Sequence, residues 1–182
     1  MRQKNKENTR VKLQTKRADG FTLIELIIVI VLLGILTVVA LPRFGDFSSD
    51  ARIATLNGIA TQMRSTITLV QNKARAQGLR PVTSNPGSGQ SGYIVDFGFG
   101  TTEVMFNTLC PESIGEFGDD LRLLDFMNES LTSDISTRID NQYTLLGYDV
   151  PASGVPLTQG CYIIYDSFAT PNCTVTVVTE DC

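Results

Sequence analysis

Twenty-two residues near the start of the chain, Gly20 to Leu41, read GFTLIELIIVIVLLGILTVVAL and contain a single charged side chain, Glu25. Phe21 to Ala40 alone is twenty residues. At roughly 1.5 Å per residue, a helix of that length matches the roughly 30 Å hydrocarbon core of a bilayer. Being apolar on every face, it must be surrounded by lipid or by other apolar helices. A carboxylate near hydrocarbon costs several kcal/mol, so Glu25 calls for a partner. In front of the run, Met1 to Asp19 carries seven Lys or Arg against Glu7 and Asp19, a net charge of +5. A basic flank before an apolar helix places the N terminus on the cytoplasmic side of a membrane.

Charge separates the rest of the chain more sharply than the overall −4 suggests: residues 21–80 carry +3 and residues 81–182 carry −12. So acidic a region does not suit nucleic acid, whose binding rests on cationic neutralisation of phosphates. With no His, the common catalytic triads and His metal sites are excluded. The many acids show no spacing that selects a catalytic pair. Glu116, Asp119, Asp120 and Asp125 form an acidic group that lacks EF-hand spacing and reads as a solvated face. No enzyme, cofactor or metal is expected. The four cysteines, Cys110, Cys161, Cys173 and Cys182, lack CxxC spacing; in a half placed outside the cytoplasm they read as two disulfides.

Beyond Pro42, which opposes continued helical hydrogen bonding, the pattern becomes one-faced. Ile53, Leu56, Ala60, Met63, Ile67, Val70 and Ala74 recur at steps of three and four, with Arg52, Arg64, Lys73 and Arg75 on other faces. Gly78 and Pro81 mark the end. The spacing predicts one helix of more than fifty residues. Residues 82–92 form a polar loop. Strand-like runs follow at Tyr93–Phe97, Glu103–Phe106, Tyr143–Val150, Cys161–Phe168 and Cys173–Thr179, with a short helix expected over Asp119–Met127. The last two runs flank Ala169–Asn172 as a hairpin, which brings Cys161 near Cys182 and favours pairing Cys110 with Cys173. The fold class is therefore α+β. A basic leader (1–20) precedes a helix (21–80, divided into an apolar part 21–41 and an amphipathic part 42–80) and an antiparallel β-sheet head (81–182) packed on the helix stripe.

Gly20 followed by FTLIEL, with a basic leader before and an apolar helix after, resembles the N-terminal signature of type IV prepilins and pseudopilins. The matching residues are Gly20, Phe21, Glu25 and Pro42, and the likeness covers about the first third of the chain. Pro42-Arg43-Phe44, Asp50-Ala51-Arg52 and Cys161-Tyr162-Ile163 are more loosely similar to the mannose-sensitive haemagglutinin branch. The leader is longer than in the simplest type IVa prepilins, while Phe21 agrees with that type.

The resemblance implies the pilin fold and a processing route. A prepilin peptidase cuts between Gly20 and Phe21 on the cytoplasmic face and N-methylates the new Phe21 amine. Gly20, having no Cβ, lets the enzyme approach the backbone. The chain then waits in the inner membrane of a Gram-negative bacterium until an assembly platform adds it to an extracellular filament of copies of itself. In that filament Glu25 is expected to pair with the Phe21 amine of a neighbour, or else to bond its own helix N terminus. Gly34 and Pro42 bracket a stretch expected to lose helical bonds on assembly, unless Gly34 only permits close packing. The leading reading is the major pilin of a type IV pilus serving adhesion or motility. The alternatives are a pseudopilin or minor pilin of a type II secretion or pilus system, and a secreted binding protein whose signal peptide ends before Leu41.

Overall fold

The structure, a computed structural model, describes residues 21–117, 121–127 and 134–182, without the side chains of residues 41–46. Helix α1, Leu23–Ala76, takes 54 residues. The chain divides into two units, Met1–Arg43 and Phe44–Cys182. In the first, every residue from Phe21 to Val39 is exposed. An all-round apolar helix has no single face to bury, so a single copy leaves it bare.

In the second unit the one-faced pattern dictates the packing. Leu56, Ala60, Met63, Ile67, Val70 and Ala74 are buried, joined by Ile59 and Gln71, while Ile53 is half-buried. The helix ends where Gly78 adopts φ +92°. Gly78 N–H donates to Arg75 O and Leu79 N–H to Ala74 O, both at 3.0 Å, which satisfies the last carbonyls through a left-handed cap. The polar stretch after it carries a 3-10 turn, Gly87–Gly92, which Asn85 initiates by accepting the Gly87 N–H at 2.7 Å.

Two antiparallel sheets cover the helix. The smaller pairs β1 (Ile94–Asp96) with β2 (Thr101–Glu103), and its Val95 packs with Val104 and Leu109 against Val70 and Ala74. The strand expected over Glu103–Phe106 begins earlier and ends at Glu103, because Leu109 N–H and Thr108 N–H both turn back onto Met105 O. The larger sheet is ordered β3 (Ser136–Ile139), β4 (Tyr143–Asp149), β5 (Cys161–Asp166), β6 (Thr174–Val178). Strand β3 was not among the expected runs; it pairs with β4 through a tight connection that crosses residues 140–142. Leu146, Ile163 and Tyr165 face the helix, whereas Leu145, Tyr162 and Val178 form a separate cluster, as alternation along each strand requires.

The helix expected over Asp119–Met127 is instead a four-residue 3-10 turn, Leu123–Phe126, with Asp119 and Asp120 outside the described residues. Its start is fixed by Arg122 N–H donating to Asp125 Oδ2 at 2.7 Å and its end by Met127 N–H on Leu124 O, which leaves room for one turn only. Leu123 and Met127 both reach the main core.

Disulfides join Cys110 to Cys173 and Cys161 to Cys182, closing sequence separations of 63 and 21 residues. Cross-links of this kind stabilise by about 2–4 kcal/mol each, chiefly by restricting the unfolded chain. Beneath the first lies Gln71, the polar residue in the helix's buried face. Its Nε2 donates to Thr108 O at 3.1 Å and to Asn172 Oδ1 at 2.8 Å, so both sides of the Cys110–Cys173 bridge are tied to the helix. At the sheet's open edge, Arg64 Nη2 donates to Val175 O at 2.9 Å, using one of the carbonyls that an edge strand otherwise presents.

Gly147 stands opposite Tyr162, and a Cβ there would collide with Cys161 O and the Tyr162 backbone. Gly147→Ala is expected to destabilise the head by about 1–3 kcal/mol, the range for overpacking. A denaturation midpoint unchanged from wild type would contradict this packing.

Tyr165 is buried, and its hydroxyl donates to Pro111 O at 2.5 Å. Burial pushes its phenol well above the ordinary value, and the carboxylates of Glu112 and Asp166 push the same way. The folded chain therefore keeps a proton that the unfolded chain releases near pH ~10. This contribution is full below that pH and is lost as pH rises from there toward the folded pKa. Tyr165→Phe is expected to cost about 1 kcal/mol at neutral pH through the lost bond. Its urea midpoint should then fall less than the wild type's above pH ~10; parallel declines would refute the shift.

Candidate processing and assembly site

The site is built on the first turn of α1. Phe21, at its start, is 92% exposed. Thr22 and Glu25 form a reciprocal cap. Glu25 N–H donates to Thr22 Oγ1 at 3.3 Å, while Thr22 N–H (2.9 Å) and Thr22 Oγ1–H (2.7 Å) both donate to Glu25 Oε2. Thr-x-x-Glu at a helix start satisfies orphaned first-turn N–H groups in this way. The helix dipole favours the same placement of negative charge.

Glu25 thus bonds its own helix N terminus in the single chain. Both donated hydrogen bonds fall on one oxygen, and a carboxylate offers about four acceptor sites, so capacity remains for an ammonium group. The Thr22 contribution was readable from the spacing as a capping box.

Behind the cap, Leu23–Ala40 is 18 residues long and apolar enough to cross a membrane, and none of it is buried. Gly34 lies within this helix with no neighbouring atom where a Cβ would stand. Its carbonyl accepts a bond from Thr37 Oγ1 at 2.8 Å, a side chain to backbone contact that can bend a helix. Pro42 also falls within the helical span. Gly20 and the leader lie outside the described residues.

Of the acidic group that lacks EF-hand spacing, Asp119 and Asp120 lie outside the described residues. Asp125 caps the turn that follows Arg122, and Glu116 is held through its backbone N–H, which donates to Glu103 Oε2. Glu103 itself is buried and accepts the Phe117 N–H at 2.9 Å, so this carboxylate fixes a loop. Among the described residues, no group of three or more His, Cys, Asp or Glu side chains is placed to hold a metal ion.

Comparison with known proteins places these features. A protein-family model described as the prokaryotic N-terminal methylation motif matches residues 15–41. The chain is 46% identical over 59 residues to the type IV narrow pilus major component PilA5 of Thermus thermophilus, covering 32% of this chain and 51% of that protein. Over 49 residues it is 45% identical to the type IV major pilin protein PilE1 of Neisseria gonorrhoeae, covering 27% and 30% respectively. A fimbrial protein of Neisseria meningitidis serogroup B is likewise 45% identical over 49 residues, with 27% and 29% covered. The chain therefore spans about half the length of the first relative and under a third of the other two. No solved structure matches. The methylation motif at residues 15–41, the capped apolar helix and the likeness to these pilins over the N-terminal third of the chain support a type IV prepilin.

Proposed function

We propose that this chain is the major subunit of a type IV pilus, polymerising through its N-terminal helix into a surface filament for attachment or motility. The observation that carries the reading is a bare apolar helix, Leu23–Ala40, on a chain whose remaining 44–182 unit is a folded, acidic, disulfide-bonded head. Such a helix is at home in a bilayer or among copies of itself, and a filament subunit uses both in turn. The relatives are named as pilus components, which supports a structural rather than catalytic role.

In this account a prepilin peptidase cuts between Gly20 and Phe21 and methylates the new amine. The subunit rests in the inner membrane of a Gram-negative cell until the assembly platform draws it out. Glu25 then exchanges part of its bonding to Thr22 for the Phe21 ammonium of a neighbour, which removes two charges from hydrocarbon at once. Loss of helix between Gly34 and Pro42 lengthens the subunit on assembly. Placement in the mannose-sensitive haemagglutinin branch rests on Pro42-Arg43-Phe44 and the other short stretches alone. Imaging a deletion strain separates the major subunit from a pseudopilin or minor pilin, since normal fibres in that strain assign the chain to the second class.

Processing is checked by intact mass of the mature chain, expected to begin at Phe21 and to carry one added methyl. A mature N terminus at Leu41 would instead make the protein a secreted one.

Glu25→Ala should insert and be cut normally but reduce sheared-fibre yield at least about tenfold, since losing one member of a buried pair costs about 3–5 kcal/mol. Thr22→Ala removes the hydroxyl and the γ-methyl but keeps the backbone N–H that donates to Glu25. It should speed first-turn amide exchange by about five- to thirtyfold, as loss of a cap worth roughly 1–2 kcal/mol requires, with fibre yield near wild type. Equal fibre loss in both variants would make Glu25 a cap and nothing more.

A further inference from the structure

Two apolar features of the 44–182 unit have opposite shapes. The first is a hollow of about 620 Å³ beside the end of α1, walled by Leu69, Phe97, Phe99 and Phe126. The three rings hold one another. Phe97 and Phe126 meet edge-on with centroids 4.8 Å apart, and Phe99 stands 6.0 Å from Phe97 and 6.3 Å from Phe126. Yet Phe99 is 71% exposed and Leu69 53%. Among the described residues, the one charged side chain in the lining is Lys73, whose Nζ lies 5.9 Å from the Phe97 ring centroid.

The second feature is the connection between β4 and β5, residues 150–160, whose backbone is gripped from both sides. Arg138 donates from Nη1 to Pro151 O and from Nη2 to Gly154 O (2.6 Å), and is itself paired with Asp140 at 2.8 Å. The Tyr162 hydroxyl accepts the Leu157 N–H at 2.9 Å and donates to Leu157 O at 2.7 Å. A loop so held is preorganised, and nevertheless it turns its large apolar side chains outward: Val155 is 72% exposed and Leu157 59%. Exposed carboxylates stand at its root, where Asp149 pairs with Cys161 and Asp181 N–H donates to Gly160 O.

We infer that the Val155–Leu157 loop of one copy seats in the Phe97–Phe99–Phe126 hollow of a second copy of this chain. The loop's exposure shows that it does not fill the hollow of its own chain. Aromatic walls and a pinned aliphatic tip are the combination from which interface anchors are made, because little ordering remains to be done on contact. Charge selects the same occupant. Residues 81–182 carry −12, so two heads meeting through like surfaces repel, whereas the acidic root of the loop meets Lys73 and the basic end of α1, with Arg75 and Arg80. Because loop and hollow are different surfaces, each copy offers both, and such contacts propagate as a ring or an open helix. The inference rests on the polymer reading above and adds to it a contact between heads that is independent of the apolar helix.

The test uses the full-length chain in cells that make it, with a benzophenone amino acid replacing Phe99 in one strain and Leu33 of the apolar helix in another. After irradiation, the Phe99 probe is expected to give a covalent dimer whose cross-linked peptide contains Val155 and Leu157. In a Leu157→Glu background that dimer should fall at least tenfold, with both disulfides intact and the Leu33 cross-link retained. A Leu33 dimer without a Phe99 dimer would overturn the head contact and leave the polymer reading standing. No dimer from either probe would overturn both. A Phe99 adduct with another protein, or with a different segment of a second copy, would remove the loop as occupant.

Discussion

A helix that is apolar all round and one that is apolar along a single stripe place different demands on their surroundings, and α1 is both. Over residues 56–74 the stripe is narrow enough for one layer to cover: Leu146, Ile163 and Tyr165 from β4 and β5 cover it as far as Ile67, and Val95, Val104 and Leu109 cover Val70 and Ala74. Over 23–40 no single layer suffices, because Leu, Ile and Val occupy every direction. The fold therefore ends up half satisfied. Its head is complete, cross-linked and hydrogen-bonded, while its spine depends on a solvent other than water. The leader, the single acid and the distribution of charge are all intelligible from that unfinished helix.

The bonds Glu25 makes to Thr22 can be ranked against the intermolecular pair proposed for it. Its bonds to Thr22 are local and available as soon as the first turn forms. A cap of this type contributes about 1 kcal/mol, and a desolvated charge pair is several times more sensitive to the loss of one partner. The cap holds the carboxylate in a defined rotamer without consuming all its acceptor sites. An acid that would otherwise sample many conformations is presented in one direction, and the ordering is complete before any neighbour arrives.

Legibility from sequence followed the strength of periodicity. The helix, its stripe and its Gly78 cap were readable because seven apolar positions repeat over many turns. Strands β4, β5 and β6 were readable because each is bounded by polar or turn residues. Strand β3 was not, since Ser-Thr-Arg-Ile is four residues with one apolar side chain, and only pairing with β4 makes it a strand. The 123–126 turn was overestimated because Leu-Leu-Asp-Phe has helical spacing, while the local bond from Arg122 to Asp125 decides its length. The Thr22 cap was fully present as a local motif. The aromatic hollow was not, because it joins α1, the β1–β2 turn and the 123–126 turn, elements that no spacing rule relates.

The grip on residues 150–160 acts on peptide groups alone. Arg138 holds two carbonyls, and Tyr162 holds one N–H and one carbonyl, leaning through the space that Gly147 and Gly160 leave open. Side chains at the tip consequently have no share in fixing the loop's path. The segment behaves as a display frame: a change in its outward residues alters what the loop presents while its path stays the same.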